Sequence, residues 1–186
     1  MIVWISSYPK SGNTYIRSFL ASYFFSKNGK FNFDQLLKLH QFPSIKFSKG
    51  KIENEEQASK LWMYNQKVFF DNDKLNLVKT HNCLLKFRGN EFTSKNQTLG
   101  AIYIVRDPRN LITSFTHHYS FTYEDALNFM MYEKATLVEK SADNDYSNFT
   151  YLNSWSNHYK SWRDNKQFET LFIKYEDLED NREKIF

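Results

Sequence analysis

A short apolar run near the start of the chain, Ile2 to Ser6, breaks at Tyr8-Pro9-Lys10-Ser11-Gly12 and gives way to apolar residues at Ile16, Phe19, Leu20, Tyr23 and Phe24. A run too short for a helix, then a turn around proline and glycine, then i, i+3, i+4, i+7, i+8 spacing predict a buried strand, a tight loop and a helix with one covered face. A buried strand needs neighbours, and three similar runs follow: Leu75 to Lys79, Ala101 to Val105 and Thr170 to Lys174. Asp107-Pro108 offers an N-cap and a proline at the first helical position for a segment through Leu111, Ile112, Phe115 and Tyr119. Leu152, Trp155, Tyr159 and Trp162 form a third stripe at helical spacing. Strands alternating with helices predict an α/β fold: a single three-layer domain with a mostly parallel sheet, whose ligands sit at the carboxyl ends of the strands. A chain of 186 residues buries one substantial core, so one domain over 1–186 is expected. The regions Phe31 to Asn54 and Glu139 to Thr150 have no readable period and are expected as loops over the site.

Composition excludes several classes. Hydrophobic residues make up 41% of the chain, yet no stretch nears the roughly 20 apolar residues that span a bilayer, so a soluble protein with no membrane span is expected. Met1 runs directly into the first strand without a basic leader, which argues against a signal peptide. The single cysteine, Cys83, can form no internal disulfide; a packing role and a cytoplasmic location are expected. The net charge of +4 would favour an anionic ligand, but the basic residues are scattered, and no lysine- or arginine-rich run suggests nucleic acid.

The residues that carry chemistry sit at the ends of the predicted strands. In Ser7 to Thr14, successive backbone N–H groups and the start of a helix make a P-loop-like anion cradle; Lys10 adds a charge, and Gly12 permits close approach. Ser11, Asn13 and Thr14 bring polar side chains. The lysine precedes the glycine, the reverse of the ATP-binding Walker order, and taken alone the segment could be a surface turn. Arg106, ending the third run, can bind a phosphate bidentately, with Ser114 eight residues later on the following helix; equally, it could pair with Asp107. His81, after Lys79-Thr80, is placed for a general base, although most lone histidines are structural. Adjacent His117 and His118 diverge by about 100° on a helix and are not expected to share a metal.

Together these segments resemble the sulfotransferases that use 3′-phosphoadenosine 5′-phosphosulfate (PAPS). Ser7 to Thr14 looks like their 5′-phosphosulfate loop, and Tyr103 to Ser114 resembles their 3′-phosphate motif, including the interval from Arg106 to Ser114. Lys79-Thr80-His81 is similar to the stretch that carries the catalytic histidine, and Phe172 to Leu178 to the strand whose tyrosine meets adenine. The resemblance implies that Lys10 contacts the 5′ side and bridging oxygen, that Ser11, Gly12, Asn13 and Thr14 cradle the 5′-phosphate, and that Arg106 and Ser114 hold the 3′-phosphate. It implies His81 as base, with Lys10 and Lys79 beside it in the catalytic set, and Tyr175 against adenine. Tyr15 stands where the family commonly carries an adenine-stacking tryptophan, and still offers a flat π face.

The family's Arg-Lys-Gly segment would lie beyond Phe186, so the domain is expected to be incomplete at its C-terminus or to build that clamp otherwise. The activity implied is transfer of a sulfonate from PAPS to a hydroxyl or amine of a small-molecule or glycan acceptor, without a metal. Two other readings stay open on the residues: a P-loop small-molecule kinase, which leaves Arg106 and Ser114 without a role, and a non-catalytic nucleotide-binding or interaction module.

Overall fold

The computed structural model describes residues 1–138 and 144–180. Its elements in chain order are β1 (Ile2–Ser7), α1 (Asn13–Phe25), α2 (Phe33–Leu36), β2 (His40–Gln41), a 3₁₀ turn (Ile45–Phe47), α3 (Glu55–Phe69), β3 (Asn76–Thr80), β4 (Thr98–Val105), α4 (Pro108–Tyr119), α5 (Tyr123–Met131), β5 (Thr136–Leu137), β6 (Thr150–Tyr151), α6 (Trp155–Arg163), β7 (Glu169–Lys174) and α7 (Tyr175–Asp180). The four predicted strands become β1, β3, β4 and β7, each within a few residues of its expected limits.

Five strands form one sheet in the order β2-β3-β1-β4-β7, with every pairing parallel. Parallel pairing sets all carboxyl ends along one edge. Ser6 of β1 lies beside Thr80 of β3 and Tyr103 of β4, and Val105 of β4 beside Lys174 of β7. The residues that follow each strand, at Tyr8, His81, Arg106 and Tyr175, therefore emerge together.

Side chains alternate across the sheet, as the period of a strand requires. Ile5, Ile104 and Ile173 face α1 and α7, through Ile16, Ala21 and Leu178. Trp4, Val78, Ala101 and Tyr103 face the other way, into an aromatic layer with Phe42, Trp62, Phe92, Phe149 and Trp162. The 18% aromatic content is thus spent largely on the core. Trp4, Trp62 and Trp162 are fully buried, each removing about 150–250 Å² from water, or about 4–6 kcal/mol before entropy is counted. Helix α4 begins as its sequence predicts, with Asp107 accepting from the Arg109 N–H and Pro108 at the start.

Three expectations change. Tyr23 and Phe24, expected on the covered face of the first helix, are 72% and 48% exposed. Asn13 sets the helix's rotation by donating to the Ile5 carbonyl and Ser7 Oγ; the covered face runs through Ile16 and Ala21, and Tyr23 packs edge-on against Phe24. The stretch Phe31 to Asn54 contains α2 and the edge strand β2, hidden from periodicity because β2 has only two residues. A small antiparallel pair, β5 with β6, was likewise too short to predict. Of the Glu139 to Thr150 region, residues 139–143 lie outside the described residues, as do residues 181–186 at the end of the chain.

Candidate active site

The loop after β1 is shaped by two residues in the left-handed region, Lys10 at φ +67° and Gly12 at φ +91°. The ring of Tyr175 lies so close to Gly12 that any Cβ there would overlap it. The guanidinium of Arg106 sits 4.4 Å from the centre of the same ring and donates from Nη1 to the Lys10 carbonyl at 2.9 Å. Three strand ends are tied together by these contacts: Lys10 after β1, Arg106 after β4 and Tyr175 after β7. Pairing with Asp107, the plainer role open to Arg106, does not occur, because Asp107 is bound by Arg109. Ser11 Oγ and Arg106 Nε are both buried and have no hydrogen-bond partner among the described residues. Two buried donors, a lysine and a helix N-terminus around one loop suit an anion.

A cavity of about 730 Å³ opens beside this loop. Lys10, Gly12, Asn13, Thr14, Lys79, His81, Arg106 and Ser114 all line it, so the segments from β1, β3 and β4 meet in one space. Ser11, within the loop, is buried and does not line the cavity, and Tyr175 reaches the site through Gly12 and Arg106. Tyr15 does not line this cavity; it stands on α1 with 38% of its surface exposed. The far wall comes from the segments that sequence could not read, Gln41 to Pro43 and the residues Asn148 and Thr150. Lys79 Nζ donates to Gln41 Oε1 at 3.0 Å there.

His81 is held in one tautomer. Its Nδ1 lies 2.7 Å from the Ser7 carbonyl, which can only accept, so Nδ1 carries the proton and Nε2 keeps a lone pair. Burial first, and then the Lys79 charge, push the imidazole down to about 3, against the opposing bond to Ser7. The ring is neutral at physiological pH. His158, not among the residues expected from the sequence, is fully buried and donates from Nε2 to the His81 carbonyl at 2.9 Å. Its signal was a polar residue on the apolar face of α6, three after Trp155 and four before Trp162.

Cys83 is buried and its thiol is pushed up to about 12 by desolvation, in keeping with a packing role. His117 and His118 are exposed on α4, and no cluster of three or more metal-binding side chains occurs among the described residues. No described helix is long and apolar enough to cross a membrane.

This arrangement defines an α/β protein with a loop suited to an anion, a facing arginine and a neutral histidine at the carboxyl edge of a parallel sheet. A family model described as a sulfotransferase domain matches residues 2–185, and the chain belongs to that family. Among solved structures it is similar to mouse sulfotransferase SULT7A1 complexed with PAP, at 19% identity and a TM-score of 0.57 over 98% of this chain and 54% of that one. It is also similar to retinol dehydratase in complex with androsterone and the inactive cofactor PAP, at 16% identity and a TM-score of 0.55 over 97% of this chain and 56% of that one. These likenesses concern the fold, and the chain spans about half the length of each. No curated protein matches the sequence.

Proposed function

We propose that the protein transfers a sulfonate group from PAPS to an acceptor hydroxyl or amine. The observation that carries this reading is the convergence of Lys10, Arg106, Ser114 and His81 on one cavity, with the arginine linked to the loop that holds the lysine. The residues fit the nucleotide: Lys10 and Arg106, whose Nε is orphaned, both line the cavity and supply donors and positive charge for phosphates. When bound, PAPS supplies the sulfonate and a phosphate leaving group.

His81 Nε2 takes the acceptor's proton as the acceptor oxygen or nitrogen bonds to sulfur. The bond from sulfur to the bridging oxygen breaks, and Lys10 with the loop N–H groups stabilises the charge left on that oxygen. Lys79 and Gln41 hold the acceptor side, where Asn148 and Thr150 add polar groups suited to a hydroxylated small molecule or glycan. Arg106 and Ser114 select the 3′-phosphate, the group that separates this donor from ATP and AMP.

Melting curves with adenosine 3′,5′-bisphosphate, Mg-ATP and AMP test the reading. At about 100 times Kd a bound ligand adds about 2.7 kcal/mol, and for a chain of this size Tm rises by roughly 5–10 °C. The bisphosphate should give the largest shift, and Arg106→Ala should weaken its binding by about ten- to a hundredfold. A larger shift with Mg-ATP would favour a kinase, and no shift with any nucleotide would refute the assignment of the site.

A further inference from the structure

The main chain that carries His81 is gripped by α6. His158 Nε2–H donates to the His81 carbonyl at 2.9 Å, Trp162 Nε1 donates to the Asn82 carbonyl at 3.1 Å, and Ser161 Oγ accepts from the Leu84 N–H at 3.0 Å. Of these, the bond from His158 reaches the histidine itself. The carbonyl of His81 can only accept, so His158 must carry its proton on Nε2, and its Nδ1 must accept. The hydroxyl of Tyr103 on β4 lies 2.8 Å from that Nδ1 and supplies the donor. Tyr8, in the loop after β1, packs its ring edge-on to His158 at 5.3 Å. His158 and Tyr103 are 0% and 1% exposed, so a broken bond here finds no water to replace it.

We infer that His158 is a positioning residue: with Tyr103 fixing its tautomer, it anchors the His81 peptide so that the His81 ring keeps Nδ1 on Ser7 and presents Nε2 to the cavity. The chain Tyr103 Oη–H to His158 Nδ1, His158 Nε2–H to the His81 carbonyl, and His81 Nδ1–H to the Ser7 carbonyl runs through β4, α6, the end of β3 and β1. The two carbonyls can only accept, which fixes both imidazole donors and leaves Tyr103 to donate to the remaining His158 nitrogen; Ser7 Oγ, 3.3 Å from His81 Nδ1, is a second neighbour of that N–H. A buried, fully partnered network of this kind has one arrangement. Burial also holds the His158 imidazole neutral, down to about 4, which the Nδ1 acceptor role requires.

The kinetic arm of the test rests on the sulfonyl-transfer reading; the spectroscopic arm does not. In ¹⁵N-correlated spectra of the imidazoles, His81 should show one fixed Nδ1–H tautomer, and His158→Phe should turn it into an exchange-averaged pair. His158→Gln, which can bring an N–H close to the position of Nε2, should restore the fixed form. In turnover, His158→Phe should lower kcat by about ten- to a hundredfold, the scale of an ångström's misplacement, while the Kd for adenosine 3′,5′-bisphosphate stays near wild type. His158→Gln should recover most of that loss, and in a His81→Ala background His158→Phe should cost nothing more. If His158→Phe does not fold, Tyr103→Phe carries a graded form of the test, because it leaves His158 Nδ1 without its donor and loosens the ring that holds the His81 carbonyl. An unchanged His81 tautomer, an unchanged kcat, or an equal loss with and without His81 would overturn the inference. So would bisphosphate affinity falling in step with kcat. A wild-type chain that transfers no sulfonate would count against the sulfotransferase reading, and the spectra alone would then decide the role of His158.

Discussion

Gly12→Ala probes the geometry on which the anion site depends. Two costs can be read from the structure. A residue with a Cβ at φ +91° pays about 1–2 kcal/mol for the left-handed conformation. The new methyl group also overlaps the Tyr175 ring, which is held on its β7–α7 corner and stacked with the Arg106 guanidinium, so the ring yields only by breaking that contact. Overpacking of this kind costs about 1–3 kcal/mol. The sum is about 2–5 kcal/mol, and at about 2–4 °C per kcal/mol for a chain of this length Tm should fall by roughly 10 °C. The two costs separate in a double-mutant cycle measured by urea unfolding. In a Tyr175→Ala background the overlap disappears and only the backbone cost remains, which leaves a coupling of about 1–3 kcal/mol. Bisphosphate affinity should fall in Gly12→Ala in either background, because the loop N–H groups move. A cost below about 1 kcal/mol would refute the left-handed turn. The same cost in both backgrounds would refute the close approach of Tyr175.

Other measurements address the charges around the site. Lys10→Met should lower turnover more than bisphosphate affinity, because charge on the bridging oxygen grows in the transition state; equal losses would mean that Lys10 only binds. Stability should fall as pH drops from about 6.5 toward 4: the folded chain holds His81 down to about 3 and His158 to about 4, whereas the unfolded chain protonates both near 6.5. Unfolding then takes up nearly two protons at pH 5, a slope of roughly 2.5 kcal/mol per pH unit from these groups, and His81→Gln should remove about half of it. A stability flat between pH 6.5 and 4.5 would contradict the burial of both rings. Cys83 should resist thiol reagents in the native state and react on unfolding, since burial raises its thiol to about 12; rapid native labelling would place it at the surface.

What the sequence disclosed follows from how the site is built. Residues just after parallel strands share one edge, so the strand ends expected at Ser6, Lys79, Val105 and Lys174 suffice to gather Lys10, His81, Arg106 and Tyr175. Local rules also sufficed for the start of α4, where Asp107 and Pro108 act within one turn. Rotation of α1 was not legible, because it is set by Asn13 reaching back to β1 rather than by the apolar spacing alone. Gln41 to Pro43 and Thr150 were hidden for another reason: they join the cavity wall through strands of two residues, too short to show a period. His158 escaped because nothing local marks a buried histidine as a partner of a backbone carbonyl 77 residues away.

The same burial that fixes His81 also bears on its strength as a base. Desolvation and the Lys79 charge disfavour imidazolium, with smaller contributions from His158 and Arg17. A ring so disfavoured is unprotonated at any physiological pH, so on the proposed function no fraction of the protein waits with its base already used. Yet a proton acceptor near 3 has little affinity for a proton from a hydroxyl. Negative charge brought to Lys10 and Arg106 opposes both neighbouring cations and favours imidazolium across the shared cavity. In this reading the donor nucleotide does more than supply the group transferred: its phosphates raise the basicity of His81, so proton acceptance becomes favourable when the donor is in place.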